Sequence, residues 1–404
     1  MANNVTASFE EVWARQQQDT FLKRSVAMIV ADTSFKSSMK SGDVLKRTYR
    51  SVSADDAPDV YVSGSDMTVR DITDTAETLT VNKKYGIAIQ VDDFDEIQSK
   101  YNIAVNYGTD YGVIMQTQID ADVLGEVVNA ESTVDGGDVG ATAGNGIVLT
   151  VNNVLNTVAA VTKKLRLANV YDTNNFGIIS PEFEEILTVY YGSKATDLGD
   201  KSTLNGFYAK ISGFDLHSSN NLTGTASLAL ATQPTADDTI VIQGVTFTFK
   251  AVPSAAGEVD LGSDVDATRA NLAALINAPS TTTAGGIALT AADARKFIAR
   301  VSAVNDDTAD TLIVTYKGAG VLAVSETLTD GTDVRTTTQQ KQLCVFGVKN
   351  KATTLVMQKM PSVERTRIPL QFGDYIKNGM LYGLKTFLDN SKKLVSVHIA
   401  SSAF

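Results

Sequence analysis

The chain has 404 residues, 43% of them hydrophobic and 20% charged, with a net charge of −11. That length accommodates two or more domains, each able to bury a core. No apolar run approaches the ~20 residues that span a bilayer. The start MANNVTASFEEVWARQQQ has no basic region followed by an apolar one, so no secretory signal is read. An acidic protein is a poor candidate for gripping nucleic acid on its outer surface, because such binding needs Lys/Arg clusters to displace counterions. A container wall that encloses nucleic acid without holding it is compatible with this charge, since like charges keep wall and cargo apart. The single cysteine, Cys344, excludes an internal disulfide and a Cys-rich zinc site. Its setting, LCVFGV, reads as a buried strand.

Ser8-Phe9-Glu10-Glu11 has the spacing of a capping box, with Ser8 accepting from the backbone at Glu11 and Glu11 reaching back. A helix is expected from there to about Ile29, and a Ser/Asp/Lys-rich segment after it marks an arm rather than a helix pair. From about Arg47 to Val91 the chain reads as extended. Leu79, Val81, Tyr85, Ile87, Ile89 and Val91 alternate with polar residues, the period of a half-buried strand. DVYVS and MTVRDI are its candidate partners, giving a long hairpin with little core of its own. A hairpin of that kind is marginal alone and needs another surface, expected to be another subunit.

Next, Tyr107, Tyr111, Met115, Ile119, Val123 and Val127 recur at four-residue steps. They predict one helix of about seven turns, long for a globular domain. The Gly-rich stretch STVDGGDVGATAGNGI lacks the Gly-Lys-Ser/Thr ending of a phosphate loop. Asn153 to Leu167 reads as a second amphipathic helix, and FGIIS as a short buried strand. Ser180-Pro181-Glu182 then opens a helix, with Ser as N-cap, Pro at the first position and acids facing the dipole. LNGFYAKISGFDLHSSN follows with strand-like alternation.

Composition changes at Thr223 and changes back near Lys341. The intervening stretch is rich in Thr, Ala, Gly and Asp, with 13 acidic and 7 basic residues over 223–335, a net of −6. TIVIQG and VTFTFK predict a hairpin about Gly244, DATRANLAALINA a helix, and TLIVTYKG and VLAVSE further strands. The stretch therefore reads as an α+β unit inserted into a host loop, a tolerated event where a guest's termini lie close together. ISGFDLHSSN and KQLCVFGV, on either side, are expected to be neighbours in one host sheet. From Lys341 on, the chain reads mostly as strand.

No stretch carries catalytic chemistry. The two histidines, His217 and His398, lie in strand-like segments far from a nucleophile. Asp92-Asp93-Phe94-Asp95-Glu96 lacks the spacing and glycine of a calcium loop. No cofactor and no metal ligand is assigned.

Three stretches together resemble a known family. YGIAIQVDDFDEIQSKYNIAVNYGTDYGVIMQTQIDADVL looks like the second strand of an extended loop running into a spine helix. VLNTVAAVTKKLRLANVYDTNNFGIISPEFEEIL gives helix, strand and a Ser-Pro helix start. NGFYAKISGFDLHSSNNL ends a strand pair in a Ser-Asn segment. Their order is similar to the major capsid protein of tailed bacteriophages, the fold shared with herpesvirus capsid floors. The resemblance implies an α+β fold with an N-terminal arm (1–49), an extended hairpin loop (50–91) and a peripheral domain with spine helix (92–148). An axial domain (149–222), an inserted β-rich domain (223–338) and return strands (339–404) complete it. Tyr111, Met115, Ile119 and Val123 are then expected in the core under the spine helix. Leu79, Val81, Tyr85, Ile87 and Ile89 are expected on the inter-subunit hairpin.

The function implied is a non-enzymatic subunit of an icosahedral shell around double-stranded DNA, built of hexamers and pentamers in the host bacterial cytoplasm and resident in the virion. The expected partners are a separate scaffolding protein, a portal protein and a decoration protein. An encapsulin-type nanocompartment shell protein, or a phage tail or surface-binding protein whose insert carries the function, are the alternatives.

Overall fold

The computed structural model of the protein describes residues 25–37, 42–50, 58, 60–66, 74–98, 103–193, 210–317, 322–328, 340–369 and 372–400. The capping box at 8–11, the MTVRDI segment and residues 205–209 lie outside them. The expected arm helix is described only at its end, as the single turn α1 (Ala27–Val30).

One four-stranded sheet runs in the order β1 (Ala31–Asp32), β16 (Thr353–Arg367), β17 (Gly373–Lys385), β4 (Lys83–Asp92). The long helix lies against it as α3 (Ile103–Gly125), 23 residues, followed by a 3₁₀ turn over Glu126–Asn129. The short α2 (Asp93–Gln98) joins β4 to α3.

The long strand expected from Leu79 to Val91 is two strands. β3 (Asp74–Thr80) pairs with β2 (Val44–Arg50) as a hairpin, while β4 pairs with β17, a neighbour almost 300 residues further on. The break falls where β17 presses on the chain. A Cβ at Gly383 would stand 2.6 Å from the Thr80 carbonyl and 2.8 Å from the Val81 Cα. Only glycine permits that approach.

A larger sheet runs in the order β12 (Val301–Asp306), β13 (Thr311–Tyr316), β8 (Thr223–Ala229), β15 (Gln340–Val348), β18 (Leu394–Ala400), β5 (Ser132–Val134). β6 (Asn175–Ile179) pairs with the end of β15, and β7 (Phe214–Ser218) lies parallel on β6. The expectation that the strands flanking the insert are direct neighbours is thus corrected: β6 stands between β7 and β15. All five residues of β6 are buried, so it takes the interior place and β7 the outer one. A Cβ at Gly177 would meet the Phe346 ring at 2.5 Å, which explains a glycine in a buried strand.

Helices α4 (Val154–Leu167) and α5 (Pro181–Gly192) cover this sheet. Val154, Val158, Val161 and Leu165 form the buried stripe of α4. Ser180 Oγ accepts from the Phe183 backbone N–H at 3.2 Å, with Pro181 in the first turn. One apolar core joins α3, both sheets, α4 and α5, and includes Met115, Ile119, Val123, Phe176, Phe183, Phe346 and Tyr382. Each such fully buried side chain contributes about 1.5–3 kcal/mol.

A second core lies wholly within residues 226–328. It is enclosed by the sheet β11 (Glu258–Asp260), β10 (Val245–Lys250), β9 (Thr239–Ile242), β14 (Val324–Glu326), by β8, β12 and β13, and by α6 (Val265–Asn277) and α7 (Ala291–Phe297). Gln243 and Gly244, with φ of 51° and 71°, make the tight turn between β9 and β10. Phe247 and Phe297 meet edge to face at 5.5 Å. Arg269 is fully buried, held by Asp266, Asp310, Asn305 and the Leu230 carbonyl. A guanidinium out of water requires such company.

The two cores are bridged by β8. Its residues 223–226 pair with 343–340 of β15, and its residues 224–229 pair with 316–311 of β13. The spine helix touches the same unit twice. Lys317 lays its stem over Gly125, where a Cβ would stand 2.9 Å away, and Gln118 Nε2 donates to the Ala299 carbonyl at 3.4 Å.

Ala226 and Gln340 are direct partners across the antiparallel ladder. Replacing 227–339 by Asn-Gly should therefore close a two-residue hairpin and leave a soluble host that unfolds cooperatively by circular dichroism. Replacing 223–338 by the same linker strips 340–343 of their partner strand and should give insoluble protein. Equal solubility of the two deletions would show that β8 does not support the host.

Candidate assembly surfaces

The spine helix places its expected core residues as follows. Met115, Ile119 and Val123 are buried in the host core. Tyr111, one turn earlier, is half-buried and stacks on the exposed Tyr107 at 6.4 Å between centroids.

Two carboxylates on the same helix were not singled out from sequence, and both are fully buried. Asp120 Oδ1 accepts from Ser25 Oγ at 3.0 Å and from the backbone N–H groups of Val26 and Ala27 at 2.6 Å each. Its Oδ2 accepts from Asn221 Nδ2 at 2.8 Å. One side chain thus caps α1 from another element and holds the chain just before β8. Asp122 Oδ2 accepts from Tyr382 Oη at 2.6 Å and from Lys83 Nζ at 2.9 Å. Burial, then the charge of Asp122, pushes the Tyr85 hydroxyl up to about 12 and raises that of Tyr382 as well. Both phenols stay protonated, and Tyr382 stays a donor.

The hairpin residues divide. Leu79 and Val81 are buried inside the chain against Val356 and Phe387. Their apolar surface is therefore not free for a neighbouring subunit, which corrects the expectation for these two. They anchor the hairpin's base, helped by Arg47 over the Phe387 ring at 5.2 Å and by Leu388 N–H donating to Glu77 at 3.0 Å. Tyr85, Ile87 and Ile89 belong to β4 and are half-buried, Tyr85 and Ile87 against the host core and Ile89 beside Val91 and Ile376.

What remains exposed and apolar lies elsewhere. Val60, Tyr61 and Val62, between β2 and β3, are 89%, 64% and 60% exposed. At the junction of β4 with α2, Phe94 stacks edge to face on Phe372 at 5.4 Å, both exposed, with Ile97 beyond them. Arg367 pairs there with Asp93 and Asp374. Contiguous apolar surface rimmed by charge is the mark of a protein contact.

The Gly-rich loop has a structural core of its own. Asp135 accepts from the N–H groups of Gly137 at 2.9 Å and Gly144 at 2.7 Å, and Lys341 Nζ donates to the Gly144 carbonyl. Burial works against the Asp135 carboxylate, but those N–H groups and the nearby His398 hold it below its ordinary range. Burial first, then Lys341, drives His398 from 6.5 down to about 4, with Asp135 opposing. Cys344 is fully buried, its thiol pushed up to about 12 by burial, so it is no nucleophile. Among the described residues no group of three or more His, Cys, Asp or Glu could hold a metal ion. Among them, too, no helix is long and apolar enough to cross a membrane.

Asp120→Ala should destabilise the isolated subunit by about 3 kcal/mol in urea unfolding, because two backbone N–H groups and Asn221 lose their acceptor. Asp120→Asn, which keeps one acceptor oxygen, should cost less. The pH dependence has a definite sign. His398 is neutral in the fold and protonates more readily when unfolded, so stability should fall as pH drops from 6.5 towards about 4. Asp135, held low, acts in the same direction. His398→Gln should flatten that slope in urea midpoints measured against pH, and an unchanged slope would remove His398 from the account.

No known protein-family profile matches the sequence, and no curated protein does. Solved structures do match in fold. A chain of Mycobacterium phage Che8 superposes with a TM-score of 0.57 at 14% identity, over 98% of each chain. The capsid structure of the cyanophage P-SCSP1u gives 0.57 at 12% identity, over 100% of this chain and 96% of that one. The mature capsid of bacteriophage PhiM1 gives 0.52 at 11% identity, over 98% and 93%. Along essentially its full length, the chain therefore shares the α+β fold of these phage capsid chains.

Proposed function

We propose that this chain is a structural major capsid subunit. It assembles through hexamers and pentamers into an icosahedral shell around the double-stranded DNA of a tailed bacteriophage. The observation that carries the reading is the fold agreement along essentially the full length of both chains with a cyanophage capsid and with the mature PhiM1 capsid. The surfaces support it. A hairpin anchored at its base carries the exposed apolar Val60, Tyr61 and Val62 between its strands, surface offered to something beyond the chain.

In this reading the parts have distinct roles. Residues 1–49 are the arm and 50–91 contain the extended loop. β4, β16, β17 and α3 form the peripheral domain, with β1 of the arm added at its sheet edge, and β5, β6, β7, β15 and β18 with α4 and α5 form the axial domain. Residues 223–338 are an inserted domain. The net charge of −11 suits a wall that does not adhere to its cargo. Scaffolding, portal and decoration proteins are the partners such a shell takes, and the virion is its site.

Negative-stain microscopy of the concentrated protein tests this. Closed shells large enough for a phage genome are the expected result. Small uniform cages would favour the encapsulin-type nanocompartment, and a failure to form closed particles would favour the tail or surface-binding protein. Hydrogen exchange gives a residue-level check. Residues 60–66 should exchange fast in free subunits and slowly in shells. Leu79 and Val81, already buried within the chain, should be protected in both.

A further inference from the structure

An open cleft of about 490 Å³ lies between α1, α3 and β16. Met28, Gly108, Gly112, Met360 and Val363 make it apolar, and Asn378 lies in its wall. Asn378 is 5% exposed, and among the described residues neither its Nδ2 nor its Oδ1 has a hydrogen-bond partner. A buried amide missing both its donor and its acceptor contact is unusual. Gly112 keeps the space before it open, since a Cβ there would stand 3.7 Å from Asn378 Nδ2. The matching ligand is apolar and offers an acceptor beside a donor, which is what a peptide group with hydrophobic neighbours offers.

Ser25, Ala27 and Met28 line the same cleft. Ser25 is pinned there by Asp120, so the 24 residues before it start from the rim. Leu22 and Phe21 lie three and four positions away, a reach of at most about 14 Å. We propose that the cleft is the seat of the chain's own N-terminal segment, with Phe21 and Leu22 on the apolar walls and one of its peptide groups on the Asn378 amide. The proposal is independent of whether the chain forms shells.

The chain has one tryptophan, Trp13, which makes a direct test simple. In a full-length Trp13→Phe, Phe21→Trp protein the only indole sits at position 21. Unassembled subunits should show blue-shifted emission and weak iodide quenching, independent of protein concentration. Adding Met360→Lys, at a side chain 52% exposed and so tolerant of change, should shift emission to the red and raise quenching severalfold, with an unaltered circular dichroism spectrum. Solvent-like emission before that change, or no response to it, would overturn the proposal. So would a blue shift that grows with concentration, since the occupant would then come from a second copy.

Discussion

Asp120 and Asp122 fix the rotation of the spine helix, and much of the remaining structure is placed relative to it. At about 100° per residue the two carboxylates point to roughly opposite sides of α3. One engages α1 and Asn221, the other Lys83 and Tyr382. An apolar stripe tolerates a small rotation, because dispersion contacts are many and individually weak. A buried carboxylate does not, because an unpaired charge out of water is strongly destabilising. Turning the helix would strand both groups at once. The arm's exit, the entrance to β8 and the β4–β17 pair are therefore set by three carboxylate oxygens on two side chains.

Much of the fold was legible in residue spacing. The four-residue steps from Tyr107 to Val127 read correctly as one long helix, and Ser180-Pro181 as a helix start. These signals are local, so neighbouring residues suffice to carry them. In the sequence the two aspartates look like ordinary solvent-facing charges on a helix. Their partners lie 93 to 95 residues before and 101 after Asp120, and 39 before and 260 after Asp122, and no local pattern encodes that. The division between β3 and β4 was hidden for another reason. Leu79, Val81, Tyr85, Ile87 and Ile89 are all odd-numbered, so the alternation keeps its phase across the break. Burial direction is unchanged while the partner strand is not. That is why Leu79 and Val81 read as subunit contacts and proved to be anchors.

The change in composition at Thr223 was visible in the sequence, but the way the following stretch is attached was not. β8 is Thr-Gly-Thr-Ala-Ser-Leu-Ala, small and polar, with no β-branched or aromatic run to mark a strand. Its small side chains suit a strand enclosed by ladders on both edges. The unit beyond it satisfies its own needs, with an apolar core and a buried arginine answered by its own aspartates. Among the described residues its contacts with the rest of the chain include that strand and two touches on the spine helix.

That shared strand also has a mechanical meaning. Residues 224–226 are bonded to β15 along one edge and to β13 along the other. A pull on the unit along β8 loads both ladders in shear, so their hydrogen bonds resist together rather than opening one at a time. Torque on it passes into β15 and onward to β18 as a turn of one continuous sheet. The mount behaves as a stiff bracket, where a flexible tether would absorb the load by bending.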